Sequence, residues 1–171
     1  MKIYITSFNN IRHFTSNMIP VSTAGRTGWP YWLFKADNKP YGTPYLNKNN
    51  VMIGICEKKL AFNEEHFEKL TEKCQGNCPY AYKAPNCQFM QAYYRYLCSQ
   101  DFDSILEDLK KISEDVRSKS HFEGDPKIIL LVYEAASKLC GERFGLIKWF
   151  RDNGYDLREW TPDIEDKEIL F

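Results

Sequence analysis

The run "KIILLVY", Lys127 to Tyr133, narrows the possible folds more than any other stretch of this chain. Its aliphatic residues, Ile128 to Val132, do not alternate with polar ones, so neither face of the strand they form can meet water. Strands covered on both faces belong to parallel sheets packed between other layers. "KIYITS", Lys2 to Ser7, is alternating and rich in β-branched and aromatic residues, and reads as another strand. "MIPVST", Met18 to Thr23, reads as a further one, with Pro20 pushing it toward an edge or an irregular start.

Helical patterns separate these strands. A helix is expected from about Glu64 to Lys73, capped by Asn63, and another from Cys87 to about Cys98, capped by Asn86. "DFDSILEDLKKISEDVRSK" carries a clear helical stripe of Phe102, Ile105, Leu106, Leu109, Ile112 and Val116. "HFEGDP", residues 121–126, breaks it. After the buried strand a helix spans roughly Glu142 to Asn153 and stops at Gly154, where a left-handed residue is cheapest. "VMIGI", Val51 to Ile55, and "YDLREW" read as short strands. Ala24 to Asn50, dense in Gly, Pro and Asn, reads as a long loop with short extended pieces. Its Trp29, Tyr31, Trp32 and Phe34 either line a binding site or, the commoner role, pin the loop onto the core. The order of strands and helices implies one α/β layered domain, Rossmann-like, with a mainly parallel central sheet flanked by helices.

Charge and cysteine usage restrict the function classes. The 23 basic and 23 acidic residues cancel, which leaves no field for bulk nucleic-acid binding. No apolar run approaches the roughly 20 residues that span a bilayer, so no membrane association is expected. "MKIYITSFNN" lacks the pattern of a signal peptide, so the expected address is cytoplasmic, where the six cysteines stay mostly reduced.

In open α/β sheets, ligands collect outside the carboxyl ends of the strands. Ser7 and Arg12, Thr23, and the stretch from Tyr133 to Arg143 should converge there. Cys140 near a helix start, with Arg143 three residues on, has the surroundings that favour a thiolate nucleophile. Glu134 and Glu142 could orient a substrate hydroxyl or move a proton. The bland alternative makes Cys140, Phe144 and Ile147 one apolar stripe and leaves Glu142 to serve only the helix dipole. A second cluster, Cys74, Cys78 and Cys87, offers a Cys-x3-Cys pair within zinc-ligand spacing, but no second close pair completes it. Zinc there, a disulfide and idle thiols all remain open readings.

"MKIYITSFNNIRHF", "MIPVSTA" and "VYEAASKLCGERFGLIKWFRDNGYDLREW" together resemble the proteins grouped as domain of unknown function 488. The resemblance covers both ends of the chain. It rests on Tyr133, Glu134 and Cys140 in the family's order and spacing, and on Asn153-Gly154 at the helix end. Where the usual member has His-Arg directly after the cysteine, this chain reads Gly141-Glu142-Arg143, with one extra residue and no histidine. Residues 1–171 would form one such domain, with an insert at about 56–100 that includes "CQGNCPYAYKAPNC". The resemblance implies a compact cytoplasmic α/β protein and supplies no activity.

Two functions from different classes follow. The chain is either an enzyme acting on a small polar or nucleotide-like ligand at the strand ends, or a non-catalytic interaction module that docks a partner through loop 29–34. Zinc could stabilise either one.

Overall fold

The structure, a computed structural model, describes residues 1–25, 28–62, 87–133 and 141–163. Its strands are Lys2–Ser7 (β1), Met18–Ser22 (β2), Tyr45–Leu46 (β3), Met52–Ile53 (β4), Ile55–Cys56 (β5), Lys127–Val132 (β6) and Arg158–Glu159 (β7). Its α-helices are Tyr31–Ala36 (α1), Gln88–Cys98 (α2), Phe102–Ser120 (α3) and Glu142–Asp152 (α4). Phe8–His13 and Lys58–Leu60 form 3-10 turns.

Five strands pair in the order β5-β2-β6-β1-β7, and every pairing is parallel. The fold is the expected α/β layered sheet. β6 lies at its centre, and Ile128 to Val132 are all wholly buried. Alternate residues of the unbroken aliphatic run feed two different cores. Ile128, Leu130 and Val132 join Ile3, Ile5, Ile19 and Val21 beneath the helices. Ile129 and Leu131 join Tyr4 and Met18 on the opposite face. Full burial of side chains this size contributes roughly 1.5–3 kcal/mol each, which is why the run tolerates no polar residue.

The two faces are covered differently. α2, α3 and α4 supply the first core with Tyr93, Leu109 and Leu146 among others. α2 and α4 approach closely at Gly145, where a Cβ would stand 2.7 Å from the Tyr93 ring. The second face carries the Phe8–His13 turn, α1 and the β3–β4 hairpin, which contribute Phe8, Ile11, Phe34 and Ile53. Asp101 caps α3 by accepting the Ser104 N–H at 3.0 Å, and left-handed His121 ends it where "HFEGDP" begins.

Three expectations need correction. β2 is an inner strand, although it contains Pro20; its outer neighbour β5 pairs only with Val21 and Ser22, so Pro20 has a laddered neighbour on one side alone. "VMIGI" is two strands, β4 in an antiparallel hairpin and β5 in the main sheet. Gly54 makes the switch between them with φ at +96°, and a Cβ there would meet Pro44 Cα at 2.8 Å. The stretch 24–50 is less loop-like than its composition suggests, since it holds α1 and one arm of the hairpin. The helix expected over 64–73 lies outside the described residues. No helix among the described residues is long and apolar enough to cross a membrane.

Candidate functional site

Because the sheet is parallel throughout, Ser7, Ser22, Cys56, Val132 and Glu159 end their strands on one edge. β1 and β6 are neighbours there, yet their chains leave in opposite directions. After β1 the chain passes β6 to reach β2, and its turn contributes Phe8, Ile11 and Phe14 to the second core. After β6 the chain passes β1 to reach β7, and α4 on that path packs in the first core. Such a divergence opens a crevice outside the strand ends, the usual ligand position in open α/β sheets. Ser7 is in register with Val132, so Phe8 and Tyr133 are the first residues beyond the two strand ends. Their ring centroids are 4.8 Å apart, and Phe8 also meets Trp29 edge-on at 5.4 Å. Phe8 is buried, whereas Tyr133 is 53% exposed.

α4 begins at the same edge. Gly141 precedes it with φ at +116° and donates its N–H to Met90 Sδ at 3.1 Å. Glu142 and Arg143, in its first turn, are both buried. A cation near a helix N-terminus opposes the helix dipole and needs a counter-charge. Glu159 supplies one, with its Oε1 3.5 Å from Arg143 Nη1. The guanidinium also lies 5.2 Å from the Phe144 ring centroid. Glu159 is in register with Ile5, two residues before Ser7, so the ion pair lies near the carboxyl end of β1. Among the sequence candidates, Ser7, Tyr133, Glu142 and Arg143 therefore share one edge. Glu134 and Cys140 lie outside the described residues.

Thr23 and Arg12 are placed differently. Thr23 is wholly buried, and its N–H and hydroxyl both donate to the Leu131 carbonyl, at 3.1 and 3.0 Å. It ties β2 to β6. Arg12 is exposed at the end of the turn after β1, where its Nε donates to His13 Nε2 at 3.0 Å. It lines a cleft of about 740 Å³ whose other walls come from Phe8, Asn9, α1 and the hairpin tip. Trp32 of the aromatic segment lines the same cleft. That segment divides its roles. Trp29 and Phe34 are buried, and the Trp29 indole N–H donates to the Ile55 carbonyl at 2.9 Å. Tyr31 and Trp32 remain 67% and 43% exposed.

Cys87 is buried at the start of α2, while Cys74 and Cys78 lie outside the described residues. Among the described residues, no group of three or more His, Cys, Asp or Glu side chains could hold a metal ion.

The structure also brings forward residues that the sequence did not single out, Asp37 and Lys48 in the cleft and Tyr45 and Glu57 outside its lining. Asp37 Oδ2 accepts the Tyr45 hydroxyl at 3.1 Å. Burial, reinforced by that carboxylate, pushes the Tyr45 phenol up to about 12. Lys48, in the turn between β3 and β4, lines the cleft as well. Glu57, at the carboxyl end of β5, is a buried acid whose Oε1 accepts the Lys59 N–H at 3.0 Å. Burial raises its carboxyl above the ordinary range. In sequence Glu57 is one charge in "CEKK", with nothing to mark it as buried.

Comparison of the chain with protein-family models, with curated proteins and with solved structures returns no match.

Proposed function

We propose that the protein is an enzyme that binds and acts on a small polar ligand at the carboxyl ends of β1 and β6. The observation that carries this reading is the divergence of the two chains at Phe8 and Tyr133, with an exposed phenol at that edge and a buried Arg143 paired to a half-buried Glu159 on the same edge. In this reading Ser7 and Tyr133 contact the ligand. Arg143 sets the local positive potential, and Glu142 orients a ligand hydroxyl. Cys140 is the proposed nucleophile. The relation to the unknown-function 488 proteins is likewise a proposal, supported by the pattern of Tyr133, Glu134, Cys140 and Asn153-Gly154.

Thermal-shift screening against small phosphorylated, carboxylated and hydroxylated compounds tests the site. The expected result is stabilisation by at least one compound class that Tyr133→Ala abolishes while the variant stays folded. A panel without stabilisation, or stabilisation indifferent to Tyr133, removes the reading. The rate of Cys140 alkylation against pH tests the nucleophile separately, and a thiol unreactive at neutral pH excludes it.

The exposed Tyr31 and Trp32 favour a second reading, a docking surface for a partner protein. Loss of partner capture on Tyr31→Ala, with ligand-induced stabilisation unchanged, would select it.

A further inference from the structure

The cleft beside the crevice combines three chemistries that a single small molecule can satisfy together. Trp32 offers an indole face that nothing in the fold requires to be open, since Trp29, three residues earlier, is 1% exposed against its own 43%. Arg12, on the turn after β1, and Lys48, between β3 and β4, both line the cleft. Among the described residues neither cation has an acidic partner. Asp37 holds Tyr45 with Oδ2, and no described residue donates to its Oδ1. An aromatic face, two cations that no described acid pairs with and the Asp37 carboxylate thus line one space of about 740 Å³. That volume is within the range typical of small-molecule sites, roughly 300–1,000 Å³.

Each element excludes a simpler ligand. Inorganic phosphate or a sugar phosphate has no use for the indole. A purely apolar ligand would leave Arg12, Lys48 and Asp37 unused. A long nucleic-acid strand needs a continuous basic track, and the chain's charges cancel. We propose that this cleft binds a nucleoside monophosphate, with its base on Trp32, its phosphate between Arg12 and Lys48, and a ribose hydroxyl donating to Asp37 Oδ1. The inference rests on the small-ligand reading above and names its class. Phe8 is the link between the two places, since it lines the cleft and its ring meets Tyr133 at 4.8 Å.

Titration calorimetry at low and moderate salt tests the proposal with the four ribonucleoside monophosphates, the matching nucleosides, ribose 5-phosphate and inorganic phosphate. At least one monophosphate should bind about tenfold or more tighter than both its nucleoside and ribose 5-phosphate. Loss of base stacking is worth about 1–3 kcal/mol, or roughly 5- to 150-fold, so Trp32→Ala should weaken binding within that range. Arg12→Ala should weaken the monophosphate and leave the nucleoside unchanged. Both side chains are exposed, and an unchanged melting temperature confirms that the variants fold. Ribose 5-phosphate binding as tightly as the monophosphates overturns the nucleotide class and leaves the small-ligand reading standing. Binding indifferent to both substitutions overturns the cleft. No binding by these probes, while the broader panel finds a Tyr133-dependent ligand, overturns the nucleotide alone; failure of both panels removes both readings. A trinucleotide with the same terminal base separates the sources: tighter binding assigns the cleft to strand ends, and equal or weaker binding assigns it to the free nucleotide.

Discussion

Phe8 and Tyr133 hold their rings 4.8 Å apart with a 46° tilt, and so join the carboxyl ends of two neighbouring strands whose chains then diverge. The contact is asymmetric, because Phe8 is 3% exposed and Tyr133 53%. Phe8→Ala should cost about 3–5 kcal/mol, as large core truncations do. Tyr133→Ala should cost about 1 kcal/mol, the worth of one aromatic pair at a half-open position. Urea denaturation of the two variants checks this. Equal losses would mean that Tyr133 is structural, and its place at the ligand site would fall.

Arg143 and Glu159 should be energetically coupled, since their charged groups lie 3.5 Å apart and the arginine is buried. A double-mutant cycle with Arg143→Met and Glu159→Gln should give a coupling of about 1 kcal/mol or more. The partial exposure of Glu159 keeps the figure below that of a fully buried pair. Additive single losses would show that the two charges do not hold each other.

Gly145→Ala should destabilise the helical face. The new methyl group would stand 2.7 Å from the Tyr93 ring, and that ring is fixed by a hydroxyl bond to the Leu60 carbonyl at 2.7 Å. Overpacking of this kind costs about 1–3 kcal/mol. A denaturation midpoint equal to that of the native chain would show that α2 and α4 can separate freely.

Glu57 makes stability depend on pH in a defined sense. Burial raises its carboxyl in the folded state, so folding favours the protonated form. The contribution is fully present below the unfolded carboxyl range and is lost as pH rises through the higher folded value. Glu57→Gln keeps an oxygen to accept the Lys59 N–H and removes the buried charge. The variant should melt at a higher temperature than the native chain at pH 7, with the gap closing toward pH 3. A gap that widens on acidification would reverse the assignment.

The sequence exposed those parts of the fold that depend on local chemistry. Lys127 to Val132 had to be covered on both sides, and the α3 stripe and Gly154 marked a helix and a helix end. Gly54 was not legible as a boundary between two sheets. Its positive φ answers to the backbone of Pro44, which sequence neighbours do not reveal. The same divide runs through the candidate site. The strand-end rule locates Ser7, Tyr133, Glu142 and Arg143 on one edge from the order of elements alone. That Arg12 and Trp32 face one cleft depends on how the turn after β1 packs against α1. Nothing periodic or compositional encodes that contact, and the burial of Glu57 has the same kind of origin.

The strand order also fixes a timetable for biosynthesis. β1 lies between β6 and β7, and Lys2 is in register with Lys127, so 125 positions separate the first partners in that ladder. At roughly 5–20 residues per second, a nascent chain carries β1 for on the order of 10 seconds before its first neighbouring strand exists. β2 waits as well, because its longest ladder is with β6. Until Val132 clears the ribosome, Ile3 and Ile5 have no sheet to enter, and the growing chain depends on whatever shields apolar segments at the tunnel exit.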